Sequence, residues 1–376
     1  MCSRCNLHVA VPWQAVLDRI RTALISDPWR TASVVLALGL AVAVGFAVTG
    51  GGSAGPASST IPEAGPSTTV TTLLADTTTT SNGAFTATTD PAQPAVPDQT
   101  AVVGVKIDNA PAARPQVGIG EADLLIEYPV EGGITRFVAV FPREMVGVAG
   151  PIRSLRPVDA DLLPALAPVV VSTGGQPFVV REVEAAGMNN IEAGFSSMFV
   201  SLGRQDPHDT FVDLALLSTI LDDSLKPAGG GLPTSDSLPL MRSVAIEAES
   251  PVGPAEFIYE QGTGYVRHED GQPFEVLGLD AQNPAALTHD TLVFLFAAER
   301  SAGYTDSAGA EVLQYDVIGS GELLILHQGE ALVGTWSRSA QADGFAFFDD
   351  IGEPFGIPDG RTYLAVVPRG GQVTYR

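Results

Sequence analysis

Arg114, Arg136, Arg153 and Arg156 crowd one stretch of a strongly acidic chain. A guanidinium is planar and permanently charged, and it suits carboxylate or phosphate oxygens held two at a time. Asn109, Thr135 and Ser154 lie in the same stretch as neutral hydrogen-bonding groups, with Glu127 and Glu131 as carboxylates. These residues make a candidate binding set for an anionic ligand. An internal arrangement competes with it, in which the arginines pair with Glu127, Glu131, Asp159 and Asp161. For catalysis the candidates are His208, as a general acid or base, and Asp159. Asp108 and Asp123, with Asp159 as a further carboxylate, are the candidates for holding Mg²⁺ beside a phosphate.

Standard catalytic signatures are missing. The sequence has no H-E-x-x-H, no G-x-S-x-G, no G-x-x-x-x-G-K-[ST] and no strand followed by G-x-G-x-x-G. The histidines, His8, His208, His268, His289 and His327, show no metal-ligand spacing. Cys2 and Cys5 are the only cysteines, so no disulfide can staple the rest of the chain. A formal net charge of -23 argues against nucleic acid as a partner, because phosphate binding needs clustered cations.

Positioning those groups requires a fold. Val102–Asp108, Asp123–Tyr128 and Thr135–Phe141 read as strands, the last two joined as a hairpin by the turn signal Glu131-Gly132-Gly133. Pro168–Ser172 reads as a fourth strand. Asp159–Leu166, Phe178–Ala186 and Phe211–Leu221 read as helices. Pro151 to Pro157 cannot be helical throughout, since proline restricts its predecessor, and the spacing predicts a rigid loop that presents Arg153 and Arg156. After the Gly/Pro break at 226–238, β-type runs dominate: Ala255–Tyr259, Thr291–Phe296, Glu322–Leu326 and Thr362–Val367. The expected fold class is an α/β domain over 101–225, then a mostly β domain over 239–376.

The first hundred residues read differently. Residues 1–30 form a basic-leaning cytoplasmic tail. Residues 31–49 are apolar and uncharged, and Ala32–Val48 at 1.5 Å per residue spans roughly 25 Å, close to a bilayer core. The arginines before this segment put the N-terminus in the cytoplasm and the bulk of the chain outside, single-pass. A cleaved signal peptide is the alternative. Residues 50–100 are rich in Ser, Thr, Pro, Gly and Ala and read as a disordered stalk.

Several runs resemble the YerB-like family of bacterial envelope lipoproteins. They are Asp108-Asn109 with Arg114-Pro115-Gln116-x-Gly118, Ala122-Asp123, Glu131-Gly132-Gly133-Ile134-Thr135-Arg136, and Gly150-Pro151-Ile152-Arg153-Ser154-x-Arg156. Pro207-His208-Asp209-Thr210 is similar to that family's P-H-N-x-Y segment, with Asp209 in place of Asn. The resemblance runs from about Val102 to Pro368. It implies an extracytoplasmic envelope protein built from an N-terminal and a C-terminal part, and it implies no activity. This chain lacks the lipid-bearing Cys, and Ser172-Thr173-Gly174-Gly175 stands where family members often carry a His before the glycines. The anchor–stalk–domain layout also resembles the LytR-CpsA-Psr transferases. Three functions stay open. The first is a binding module for an anionic glycan, a lipid-linked phosphate or a protein partner. The second is a Mg²⁺-dependent phosphotransferase on lipid-linked intermediates. The third is a scaffold with internal Arg–carboxylate pairs.

Overall fold

Val-rich runs such as Val102–Asp108, apolar at nearly every position, form strands that must be covered on both faces. They build the centre of a single large sheet. The structure is a computed structural model, and it describes residues 102–194, 198–221, 231–239, 241, 243–306 and 309–376. The tail, anchor and stalk expectations over 1–100 lie outside the described residues. Among the described residues, no helix is long and apolar enough to cross a membrane.

The first segment contributes β1 (Val102–Asp108), β2 (Leu124–Pro129), β3 (Thr135–Pro142), β4 (Val148–Ala149), α1 (Pro157–Leu162), β5 (Val169–Ser172), α2 (Pro177–Ala185), β6 (Asn189–Glu192), β7 (Phe199–Ser201), β8 (Thr210–Asp213) and α3 (Leu214–Ile220). The second is almost entirely β. It opens with β9 (Ser243–Val244), β10 (Glu247–Glu249), β11 (Glu256–Glu260), β12 (Gly264–Glu269), β13 (Gln272–Pro273), β14 (Glu275–Leu277), β15 (Pro284–Ala286) and β16 (Thr288–His289). It continues with β17 (Thr291–Thr305), β18 (Glu311–Asp316), β19 (Gly319–His327), β20 (Glu330–Arg338), β21 (Ala346–Phe348), β22 (Pro354–Phe355), β23 (Thr362–Pro368) and β24 (Thr374–Tyr375).

The main sheet runs in the order β22-β21-β20-β19-β17-β23-β2-β3-β1-β5-β6. Strand β23 lies between β17 and β2 and is parallel to both. The two sequence segments therefore share one hydrogen-bonded sheet. Strands β1, β2, β5, β6, β17 and β23 point the same way, and β3 and β19 run against them. One face carries Ile126, Val138, Val170, Leu295 and Leu364, packed against Val158 and Leu162 of α1 and Val179 and Val183 of α2. The other carries Ile107, Leu125, Phe137, Phe294 and Tyr363, packed against Phe257 and Tyr265 of a second sheet, β13-β12-β11-β10-β24.

The expected strands and the β2–β3 hairpin are present, with Gly132 and Gly133 at φ 79 and 72 in the connecting turn. Two helices differ from expectation. The stretch Phe211–Leu221 divides: β8 occupies Thr210–Asp213, pairing with β7 and β4, and α3 starts only at Leu214. Asp213 caps α3 through its carboxylate, which accepts from Leu216 N–H at 3.1 Å. Helix α1 begins at Pro157 and ends at Leu162, because Asp159 accepts from the Arg156 N–H at 2.7 Å and fixes the start earlier. The described part is mostly β with few helices; the α-helices all fall in the first segment, as expected, and the two segments share one sheet.

Candidate functional site

The carboxyl ends of parallel strands are where α/β sheets place their reactive groups. Here β1 ends at Asp108 and β5 ends at Ser172. The loop 151–156 is threaded between them as the sequence anticipates. Its backbone is tied by Asp108 N–H to Pro151 O (2.9 Å), Arg153 N–H to Lys106 O (2.9 Å), Thr173 N–H to Arg153 O (3.1 Å) and Leu155 N–H to Gly174 O (2.8 Å). A fifth bond, Ile152 N–H to Thr210 O at 2.7 Å, brings the His208 segment alongside.

Asp108 is the hub. Its Oδ1 accepts from Arg136 Nη1 at 3.0 Å and from Ala110 N–H at 3.0 Å. Its Oδ2 accepts from Arg153 Nε at 2.7 Å and lies 2.7 Å from His208 Nδ1. Burial alone would raise the carboxyl's pKa, but Arg136, the Ala110 N–H and Arg153 together hold it below the ordinary 3.8. Arg136 is almost fully buried, and burial lowers its pKa to about 10 against the pull of Asp108.

Two further pairs flank the hub on the same face. Lys106 and Asp159 are fully buried and meet at 2.9 Å, and Tyr128 Oη donates to Asp159 at 2.6 Å. Burial pushes Lys106 down to about 8. Arg156 grips both oxygens of Glu131, its Nε at 2.9 Å. Burial opposes ionisation of Glu131, and the Arg156 hydrogen bond overcomes it, so the carboxyl sits below its usual range.

The remaining predicted ligand residues sit elsewhere. Successive side chains of a strand face opposite ways. Glu127, Thr135 and Asn109 are each one position out of step with Tyr128, Arg136 and Asp108, so they belong to the opposite face. There Glu127 accepts from Thr135 Oγ1 (2.5 Å), Asn109 Nδ2 (3.3 Å), Tyr363 Oη (2.7 Å) and Arg267 Nη1 (2.6 Å). Arg267 also binds Glu269 at 2.9 Å, and Glu269 takes Arg114 at 2.5 Å. Burial opposes the charge on Arg267, yet Glu127 and Glu269 raise its pKa overall.

Sequence reasoning thus finds one cluster where the fold makes two. It misses Lys106, Tyr128, Arg267, Glu269 and Tyr363. Lys106 gave a signal, as a lone lysine in an apolar strand. Arg267 gave none, because its partners lie far along the chain. Asp108 and Asp123 do not form one metal site. Strands β1 and β2 are parallel, Asp108 ends the first, and Asp123 precedes the second at the opposite edge. Among the described residues, no three His, Cys, Asp or Glu side chains group as metal ligands. Asp159 is fully enclosed and occupied by Lys106 and Tyr128, so it has no open side for a substrate. His208 and Arg153 stay accessible, with side chains 16% and 22% exposed. Ser154 Oγ and Thr173 Oγ1 lie 3.1 Å apart beside them.

Comparison with known proteins matches both segments. The N-terminal domain of the family described as "Protein of unknown function (DUF3048)" matches residues 87–226, and its C-terminal domain matches residues 244–364. The Bacillus subtilis (strain 168) protein described as "Putative lipoprotein YerB" is 26% identical over 281 residues, covering 71% of this chain and 81% of YerB. The crystal structure of Bacillus subtilis YerB superposes with a TM-score of 0.60 at 21% identity, covering 74% of this chain and 94% of that one.

Proposed function

As this chain belongs to the DUF3048 family, we propose that it is an extracytoplasmic envelope module, held at the membrane by residues 31–49, that binds an anionic group at Arg153. The description of YerB supports the membrane-associated location. One observation carries the binding reading. Asp108 offers a single carboxylate to two guanidiniums, Arg136 and Arg153, and to His208 as well. Arg153 spends only its Nε on that carboxylate, and among the described residues its Nη groups have no hydrogen-bond partner. An anionic glycan or a lipid-linked phosphate would supply the missing oxygens, with Ser154 and Thr173 as neutral donors. Arg136 and Arg156 are held by Asp108 and Glu131 and position the site instead of gripping the ligand, while Arg114 is held by Glu269 on the opposite face.

A thermal-shift titration of the full chain tests this. The probes are pyrophosphate, a phosphosugar and a soluble polyprenyl diphosphate analogue, each with and without Mg²⁺. At about 100 times its dissociation constant, a ligand adds roughly 2.7 kcal/mol of stability. The expected result is a shift in the parent that Arg153→Ala abolishes while its own melting temperature stays close to the parent's. Equal shifts in parent and variant, or none in either, would overturn the reading and leave the scaffold alternative, which the Glu127–Arg267–Glu269 network favours.

The enzyme alternative draws on the Asp108–His208 contact. A carboxylate on Nδ1 orients the ring and leaves Nε2 for a proton transfer. Its nearness to Arg153 follows from their shared partner, since each nitrogen lies 2.7 Å from Asp108 Oδ2. Under that reading His208→Ala keeps the ligand-induced shift and loses phosphate release from the analogue.

A further inference from the structure

A cavity of about 450 Å³, lined by residues of both family segments, shares no lining residue with the Arg153 cluster. That volume lies within the roughly 300–1,000 Å³ of small-molecule sites. Glu121 and Arg361 both line it, together with Asp280 and an apolar wall that includes Val276 and Pro284. Gly278 keeps the floor open, since a Cβ there would stand 3.1 Å from Glu121 Oε1.

The charges in this cavity are incompletely used. Glu121 Oε1 accepts a long bond from the Leu279 N–H, at 3.4 Å, and the carboxylate also accepts from its own backbone N–H. Burial and the like charge of Asp280 raise its pKa, while Arg361 pulls it down from within the same cavity. Arg361 is fixed by its backbone. Its N–H donates to Asp290 Oδ2 at 2.8 Å, and its carbonyl accepts from the Asp290 N–H at 2.8 Å. Its guanidinium reaches Asp290 only at 3.8 Å. Among the described residues, no ion pair joins Glu121 to Arg361, although the Arg361 charge acts on the Glu121 carboxyl. Asp280 Oδ1 accepts from the Gln282 and Asn283 N–H groups of its own turn, and its Oδ2 accepts from Asn283 Nδ2. It therefore adds negative potential at the Glu121 end without closing the cavity.

We propose that this cavity binds a small zwitterion, an amino acid or short peptide, with its ammonium on Glu121 and its carboxylate on Arg361. A ligand of that polarity meets both charges at once, beyond the long Asp290 pair of Arg361 and the backbone bonds of Glu121, and the apolar wall takes its side chain. A purely anionic or purely cationic ligand would satisfy one end and oppose the other. The site is independent of the Arg153 reading.

Calorimetric titration of the full chain with L-alanine, L-alanyl-L-alanine, the N-acetylated dipeptide and the dipeptide amide tests it. The expected result is saturable binding of a zwitterion, weakened by at least about tenfold on capping either end. The alanine and dipeptide arms distinguish a free amino acid from a peptide. Glu121→Gln binds the parent dipeptide less well and is indifferent to acetylation. Arg361→Gln is indifferent to amidation, and Arg153→Ala binds like the parent. No saturable binding up to about 10 mM, or affinity unmoved by either cap, would overturn the proposal. The capped ligands act on the parent protein, so the test stands whether or not the variants fold.

Discussion

Arg267 is fully buried and holds two carboxylates, Glu127 at 2.6 Å and Glu269 at 2.9 Å. Removing one partner of a buried pair leaves an uncompensated charge, which costs far more than the pair contributes. Arg267→Met should lower the unfolding free energy by about 3–5 kcal/mol, measured by urea titration. Adding Glu127→Gln to that variant should recover part of the loss, because one orphaned charge is gone. His289 gives a pH signature. It is buried, its Nε2 has no partner among the described residues, and burial with the nearby Arg267 and Arg361 charges lowers its pKa from 6.5 to about 3. As pH falls below 6.5, the unfolded chain takes up this proton while the folded chain does not until about 3. Stability from this group is therefore lost across that window. His289→Phe should flatten the acid side of the stability curve by up to about 1.4 kcal/mol per pH unit. An unchanged slope would mean that His289 titrates normally.

At the scale of elements, the loop 151–156 depends on its contact with β8. A Cβ on Gly150 would stand 2.5 Å from Phe211 Cδ1 and 3.1 Å from Phe211 Cα. Overpacking of this kind costs about 1–3 kcal/mol, and here the strain falls on the loop that carries Arg153. Gly150→Ala should lower the melting temperature and weaken any anion-induced thermal shift, whereas an equally destabilising change in β20 should lower only the former. The strands flanking this loop were legible in the sequence because burial on both faces leaves an unbroken apolar run. The Phe211–Leu221 stretch was not. Its apolar residues suit either a helix face or a short paired strand, and pairing of β8 with β7 and β4 decided between them.

At the scale of the molecule, β23 is the seam. It comes from the end of the chain, yet it covers the edge of β2. Arg267 and Tyr363 likewise reach Glu127 across more than 100 residues of sequence. A fragment of residues 102–225 would expose that edge and the apolar face that β11 and β12 cover, and would leave Glu127 without its cation. It should lack cooperative urea unfolding and dispersed amide resonances when produced alone. In the full chain, fluorescence of the buried Trp336 and far-UV circular dichroism should report one coincident transition over the described part. A stable, independently folding fragment would contradict the shared sheet as the basis of stability.

The sequence by itself determined the strands, the hairpin turn, the rigid arginine loop and the family motifs. Each depends on local chemistry: apolar periodicity, glycine in a turn, proline in a loop. Only the tertiary structure decided which arginines were already spent. Strand alternation sends Asp108 and Asn109, adjacent in sequence, to opposite faces of the sheet. Their networks then draw on elements far along the chain: Arg153 and His208 reach Asp108 directly, and Arg267 and Glu269 reach Asn109 through Glu127 and Arg114. Spacing along a chain does not encode which distant carboxylate will meet a given guanidinium. That depends on strand order, and strand order is fixed by how the whole sheet buries its two faces.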